Sequence, residues 1–149
     1  MTRNKKLEAT SRLAGPDDRV ERLGMVLAIG ASLVGEGKIP DDVLHEKTGH
    51  YAICLIRSET KHEVRTIAPG QTIEVGREEG EPALWTISDP WLSRHHFRLS
   101  VESEHGILRI EDLGSSNGTL VKGTPVPAGG RMLIRGDVVF AGRNAWVVL

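Results

Sequence analysis

The stretch Phe97-Arg98-Leu99-Ser100-Val101 alternates apolar and polar residues one by one. Because successive side chains of a strand point to opposite faces, this pattern predicts a β-strand with one face in a core. From Tyr51 onward, similar short runs recur between glycine, proline, asparagine and aspartate residues that are typical of turns. We predict eleven strands, over residues 51–57, 63–68, 72–76, 84–87, 96–101, 106–111, 119–121, 124–126, 131–134, 137–141 and 145–149. Many short strands with frequent turns favour an all-β sandwich over a barrel or a parallel sheet.

The sequence before Tyr51 has a different character. Residues 1–16 are rich in basic side chains and close on Gly15-Pro16, which predicts a flexible basic arm. Apolar residues then recur at helical spacing and predict a helix over roughly residues 18–34. A short second helix is expected after Pro40, through Asp41-Asp42-Val43-Leu44. We therefore divide the chain into a basic arm (1–16), a helical extension (17–48) and a β-sandwich domain (49–149).

The predicted helix over residues 18–34 is apolar on more than one side. Its first stripe consists of Val20, Leu23, Leu27, Ala31 and Val34, and its second of Met25, Val26, Ile29 and Leu33. A helix of this kind is expected to be buried or to cover a partner. The uninterrupted apolar run is shorter than the roughly 20 residues that span a bilayer, so we expect no membrane anchor.

Composition narrows the classes of function. With 149 residues, of which 39% are hydrophobic, the chain can bury one good core. The net charge of −1 gives no global basic field that would draw the chain to nucleic acid or to an anionic membrane. The single cysteine, Cys54, has no second cysteine for a disulfide or a Cys-based metal site. The start of the chain does not look like a signal peptide, so the cytoplasm is the expected location.

Three short motifs carry groups that bind phosphate. They are Gly76-Arg77 at the end of a predicted strand, Ser93-Arg94-His95-His96 after the turn-rich stretch Ser88–Leu92, and Ser115-Ser116-Asn117-Gly118-Thr119 around a turn. Hydroxyl, amide and guanidinium groups are the donors that a dianionic phosphoryl group needs. All three motifs fall where turns join strands, which is where recognition residues usually lie.

Each motif also has a purely structural interpretation. Arg77 is followed by glutamates with which it could form solvated ion pairs, and Asn117-Gly118 is a strong turn dipeptide in its own right. Ser93 near His96 suggests a hydrolase, but no Gly-x-Ser-x-Gly elbow surrounds the serine. Neighbouring histidines diverge on a strand, so His95 and His96 do not predict a metal site. We expect no catalytic residue, no metal and no cofactor.

In its order of motifs, the region from Tyr51 to Leu149 resembles the forkhead-associated (FHA) domain. The resemblance implies an eleven-stranded β-sandwich that binds phosphothreonine peptides through loops at one end. It implies phosphopeptide contacts for Arg77, Ser93, Arg94, Ser116 and Asn117. It also implies that Gly76, His96, Gly118 and Thr119 shape the loops without contacting the ligand.

The function implied by this resemblance is that of a non-catalytic signalling adaptor. It would recruit proteins phosphorylated on threonine by a Ser/Thr kinase, or the kinase itself. The basic arm also contains Thr10, which suggests an intramolecular ligand. Once phosphorylated, Thr10 would fold back into the protein's own pocket. The alternative is a phosphate-independent scaffold that self-associates through the N-terminal helix.

Overall fold

The computed structural model describes residue 37 and residues 39–57 and 62–149. Within these ranges the chain forms one short helix and eleven strands. They are α1 (Asp41–Leu44), β1 (Tyr51–Ile56), β2 (His62–Ile67), β3 (Thr72–Gly76), β4 (Leu84–Thr86), β5 (Phe97–Val101), β6 (Leu108–Asp112), β7 (Thr119–Val121), β8 (Thr124–Pro125), β9 (Arg131–Leu133), β10 (Val138–Ala141) and β11 (Asn144–Val148).

The strands form two sheets. One has the order β2-β1-β11-β10-β7-β8 and the other the order β4-β3-β5-β6-β9. Strands β3 and β4 are parallel, and the remaining strand pairs of the described residues are antiparallel. Because the sheets are built mainly from antiparallel strands, their connecting loops collect at the two ends of the sandwich.

The core lies between the two sheets. Phe97 of β5 and Trp146 of β11 meet across it edge to face, with ring centroids 5.0 Å apart. Phe97, Leu99 and Val101 are buried, while Arg98 and Ser100 between them are partly exposed, as alternation predicts. A second apolar cluster lies on the outer face of the six-stranded sheet, where Ile39 and Val43 pack against it.

The structure confirms the predicted all-β sandwich. All eleven strands predicted from the sequence are present among the described residues, with ends that differ by at most two positions. The largest difference is at β6, which begins at Leu108 rather than at residue 106. Gly106 adopts a left-handed backbone conformation (φ 68°) and still belongs to the β5–β6 turn. The predicted helix at Asp41–Leu44 is also present.

The predicted basic arm (1–16) and the helix predicted over residues 18–34 lie outside the described residues. In the described part of the chain, no helix has the length and apolar character needed to cross a membrane.

Candidate functional site

Four connections meet at one end of the sandwich. They are the loop after β3, the long β4–β5 loop, the β6–β7 loop and the β10–β11 turn. The β4–β5 loop holds them together: the Ile87 N–H donates to the Gly76 carbonyl (2.8 Å), and Ser93 accepts a bond from Ser116. At its other side, Asp89 accepts a bond from the Arg143 N–H (2.8 Å). The three motifs of the sequence are therefore brought to one surface.

Gly76 sits where two backbones touch. A Cβ atom on Gly76 would lie 1.9 Å from the Arg94 carbonyl oxygen and 2.6 Å from its carbonyl carbon. Only glycine leaves room for this approach, which places the end of β3 against the Ser93–His96 segment. The Arg77 N–H then donates to the Ser93 carbonyl (3.1 Å) and continues the contact.

Arg77 is exposed and is anchored by its own loop rather than by an acidic neighbour. Its Nε donates to the Leu92 carbonyl at 2.7 Å. Among the described residues it forms no ion pair with a glutamate. Since Nε alone is used, the two terminal nitrogens of the guanidinium group retain their donors for another acceptor.

Ser93 connects the β4–β5 and β6–β7 loops. Its Oγ accepts a hydrogen bond from the backbone N–H of Ser116 at 3.0 Å. Its own backbone N–H donates to Nδ1 of His96, also at 3.0 Å. The two serine hydroxyls predicted to bind phosphate therefore belong to loops joined by a direct hydrogen bond, with the Ser116 side chain exposed.

His96 lies beneath this contact and is fully buried. Because Nδ1 accepts from Ser93, Nε2 carries the ring proton and donates to the Gly118 carbonyl at 2.8 Å. Burial lowers the pKa of His96 below its ordinary value, against the opposing effects of Gly118, Asp112 and Asp89. The neutral imidazole thus ties together the two loops that hold Ser93 and Ser116.

We expect the stability of this end of the domain to fall in mild acid. The pKa of His96 is lower in the folded chain than in the unfolded chain, where it is near 6.5. The stabilisation is therefore fully present above pH 6.5 and is lost as the pH falls towards the folded pKa. A proton on Nδ1 would also remove the acceptor for the Ser93 N–H.

This expectation can be checked by NMR titration of the histidine Cε1 protons. His96 should titrate below 6.5, whereas the pKa of His95, raised by the hydrogen bonds of Glu74 and Glu78, should lie above that value. Because His95 is exposed, its raised pKa only weakly offsets the loss of stability that His96 causes at acidic pH. A His96 midpoint at or above 6.5 would contradict the lowered pKa that its burial predicts.

Asp112 organises the β6–β7 loop from inside. Its carboxylate accepts bonds from the hydroxyls of Ser115 (2.5 Å) and Thr119 (2.7 Å) and from the backbone N–H groups of Gly114 and Ser115. Burial alone would raise the pKa of Asp112, but these hydrogen bonds hold it below its ordinary value. Ser115 thus braces the turn, while Ser116 beside it faces solvent.

Asn117 contacts the β4–β5 loop through its side chain. Its amide nitrogen donates to the Trp91 carbonyl at 2.8 Å, which leaves the amide oxygen as an acceptor. Trp91 is held by the buried Asp89, whose carboxylate accepts the Trp91 N–H (2.9 Å) and the Asn144 amide (2.7 Å). Arg143 lies over the Trp91 ring, with 5.3 Å between its guanidinium carbon and the ring centroid.

The acidic side chains beside the site are paired with a histidine. His95 is exposed, and its ring nitrogens lie 3.2 Å from Glu74 and 2.9 Å from Glu78. These carboxylates are therefore directed to His95 rather than to Arg77. The Arg94 side chain is exposed beside them.

Comparison with known proteins identifies the family. The family model of the FHA domain matches residues 73–140. The solved FHA domain of a hypothetical protein from Arabidopsis thaliana is 30% identical to the chain. That alignment covers 68% of this chain and 86% of the other, with a TM-score of 0.56. The chain belongs to the FHA domain family. FHA domains are phosphopeptide-binding modules rather than enzymes.

Two further solved FHA domains have the same fold. The FHA domain of the CT664 protein from Chlamydia trachomatis is 24% identical, with a TM-score of 0.61 over 67% of this chain and 96% of that one. An FHA domain described for its phosphothreonine-dependent interactions is 25% identical, with a TM-score of 0.53 over 65% of this chain and 94% of that one. No curated protein matches the chain significantly.

Sequence reasoning missed two residues that position the site of this FHA domain. Asp89 and Trp91 set the conformation of the β4–β5 loop, but the sequence identified Ser88–Leu92 only as a turn-rich stretch. An Asp two residues before the N–H that it accepts is typical of an Asx turn, so the local bond to Trp91 could have been predicted. Its bonds to Arg143 of the β10–β11 turn and to Asn144 at the start of β11, 54 and 55 residues away, have no local sequence signal.

One group of side chains in the described residues has the composition of a metal site. Glu102, Glu104 and His105 lie on the exposed β5–β6 turn, with one potential ligand atom of each within 4.8 Å of the others. Glu102 already accepts the backbone N–H groups of Glu104 and His105, at 2.8 and 2.7 Å, so the cluster is explained by turn geometry.

Proposed function

We propose that the protein is a phosphothreonine-dependent binding module that recruits partners phosphorylated by a Ser/Thr kinase in the cytoplasm. The observation that carries the proposal is the bond between the Ser116 N–H and Ser93 Oγ, beside Arg77 held on the Leu92 carbonyl. Three separate loops thereby supply hydroxyl and guanidinium groups to one exposed surface. A phosphoryl dianion requires this combination of charge and directed donors.

Charge at the site supports the same proposal. The two guanidinium groups, on Arg77 and Arg94, are exposed, while the nearby Glu74 and Glu78 are engaged by His95. An incoming phosphate therefore meets cations whose field is not cancelled by a directly bonded carboxylate. We assign phosphopeptide contacts to Arg77, Ser93, Arg94, Ser116 and Asn117, with the Asn117 amide oxygen available for a peptide N–H.

Related domains support the choice of ligand. A 25% identical FHA domain is described by phosphothreonine-dependent interactions, and the MEK1 FHA domain, 22% identical, was solved with the HOP1 pThr318 peptide. The FhaA FHA domain was solved with the intracellular domain of Rv3910, which illustrates recruitment of a whole partner domain. We extend the same class of ligand to this chain and expect Gly76, His96, Gly118 and Thr119 to shape its site.

The proposal is tested by fluorescence anisotropy with three degenerate peptide pools, identical except for phosphothreonine, phosphoserine or unmodified threonine at the fixed position. We expect saturable binding of the phosphothreonine pool, weaker binding of the phosphoserine pool and none of the unmodified pool. Equal binding of the phosphorylated and unmodified pools would rule out phosphate recognition.

The alternative, a phosphate-independent scaffold acting through residues 18–34, remains a prediction because that segment lies outside the described residues. So does the fold-back of phosphorylated Thr10. Kinase treatment of the full chain separates them: Thr10 phosphorylation should weaken binding of an added phosphopeptide without changing the mass measured by light scattering. A scaffold would show self-association whether or not Thr10 is phosphorylated.

A further inference from the structure

The outer face of the six-stranded sheet, on the side away from the sandwich core, is mainly apolar across five strands, β2, β1, β11, β10 and β7. Strand register arranges its side chains in three rows. The first row contains Thr66, Ala52 and Leu149, the second Val64, Cys54, Val147 and Val138, and the third His62, Ile56, Ala145, Phe140 and Leu120. The third row lies nearest the β10–β11 turn, and the first lies at the opposite end of the strands.

The described part of the chain covers only one end of this face. From outside the sheet, Ile39 and Val43 supply the apolar side chains that pack on it. They line a pocket with Val148, Leu149 and Gly136, next to the first row. Helix α1 has four residues and is about 6 Å long, whereas the third row is about 13 Å farther along the strands. Helix α1 therefore cannot cover the third row.

The third row is nevertheless shielded from solvent. Ile56, Ala145 and Phe140 are 2%, 0% and 3% exposed. His62, which pairs with Ile56 on the edge strand, has a buried Nε2 with no hydrogen-bond partner in the described part of the chain. Outer-face residues of a sandwich are normally solvated and polar, so another layer must cover these rows.

We propose that this layer is the chain's own segment from residue 18 to residue 34, packed as a helix across the second and third rows. The segment carries two apolar stripes, and a helix of that kind must be buried. At 17 residues it would be about 25 Å long, which exceeds the span of the three rows. Its apolar surface matches a face on which every named position is apolar except Thr66 and His62, both on the edge strand β2.

Chain connectivity supports an intramolecular arrangement. Ile39 is buried next to the first row, and four residues lie between it and Val34, so the two Cα atoms are at most about 17 Å apart. Because Ile39 itself packs on this face, the segment is tethered close to it. A tether of that length gives the segment a high effective concentration at its own sheet, which favours it over a second copy of the chain.

Cys54 provides the test, because it is the only cysteine and lies in the second row. Single cysteines are introduced into the full chain from Val20→Cys to Val34→Cys, with Arg12→Cys in the basic arm as the control. After mild oxidation with copper phenanthroline, we expect an intramolecular disulfide to Cys54 at positions three or four residues apart. Peptide mapping and intact mass identify the product.

Two outcomes would overturn the proposal. One is crosslinking no greater at any position of the segment than at the Arg12→Cys control. The other is crosslinks found only in covalent dimers, which would assign the cover to a second copy. Intramolecular crosslinks to Cys54 that recur every three or four positions support the proposal. A cooperative thermal unfolding transition shows that each variant is folded.

A second measurement does not depend on crosslinking. Burial raises the pKa of Cys54 to about 12, so the thiol should react slowly with a disulfide reagent in the native full chain. Leu27→Pro would break any helix over the segment, and we expect it to speed labelling at least about tenfold. Lys6→Pro in the arm is the matched control. Labelling of Leu27→Pro at the wild-type rate would contradict the proposal.

Discussion

Arg77→Ala should weaken binding of a phosphothreonine peptide by about ten- to a hundredfold while leaving the domain folded. Each hydrogen bond to a charged group contributes roughly 1.5 to 3 kcal/mol, and the variant removes both a charge and a planar pair of donors. Arg77 is exposed and its single side-chain bond is to the Leu92 carbonyl, so little packing is lost. Fluorescence anisotropy gives the affinity, and thermal unfolding reports the fold.

Arg109→Ala is the matched control for this variant. Arg109 is also exposed and also donates to a backbone carbonyl, that of Gly129 at 3.0 Å. It is on β6 and opposes Met132 of the edge strand β9. Arg109→Ala changes the net charge by the same amount as Arg77→Ala, so an unchanged peptide affinity in Arg109→Ala would exclude a general effect of charge.

The peptide affinity of Arg77→Lys should lie between those of the wild type and Arg77→Ala, because lysine keeps the charge but lacks the forked donors of arginine. Wild-type affinity in Arg77→Ala would reject the assigned phosphate contact.

Gly76→Ala should both destabilise the domain and abolish peptide binding. The added methyl group would lie 1.9 Å from the Arg94 carbonyl oxygen, a backbone atom that cannot rotate away. The two backbones must separate, which breaks the bonds from Arg77 N–H to Ser93 and from Glu78 N–H to Arg94. We expect a loss of about 3 kcal/mol in the free energy of unfolding, at the upper end of the typical cost of overpacking. Urea unfolding and anisotropy measure the two effects.

Gly80→Ala is the control that distinguishes the steric clash in Gly76→Ala from the general cost of replacing a loop glycine by alanine. Gly80 lies in the β3–β4 connection, four residues after Gly76, but has no atom within 4 Å of the position that a Cβ would take. Its left-handed backbone (φ 81°) makes alanine cost roughly 1 to 2 kcal/mol, with no effect on the backbone contact at Arg94. Peptide affinity should therefore survive in Gly80→Ala. If Gly76→Ala binds peptide within about twofold of wild type, the close approach does not position the site.

The sequence predicted the strands well because each has a local signature. Alternation in residues 97–101 and turn residues such as Asn117-Gly118 depend on neighbours a few positions apart, and the structure has them where they were expected. The ends of β6 were less accurate, since the position of Gly106 in the turn depends on how the hairpin closes. The order of the strands in the two sheets has no comparable local signal.

In the candidate site, too, the sequence predicted the local features, and the structure was needed for the contacts between distant residues. The sequence indicated which residues carry phosphate-binding groups. It did not decide whether the Arg77 side chain binds phosphate or pairs with the neighbouring glutamates. The structure shows His95 between Glu74 and Glu78, and Arg77 on the Leu92 carbonyl. It likewise separates Ser115, bonded inward to Asp112, from Ser116, which remains exposed.

What the sequence determined by itself was therefore the strand pattern, the turns and the chemical character of the loops, because these depend on residues close together in the chain. The tertiary structure alone decided which side chains meet. Ser93 reaches Ser116 across 23 residues and Asp89 reaches Asn144 across 55. Such contacts depend on strand register and sheet packing, which arise from the summed burial of the whole core rather than from any local stretch.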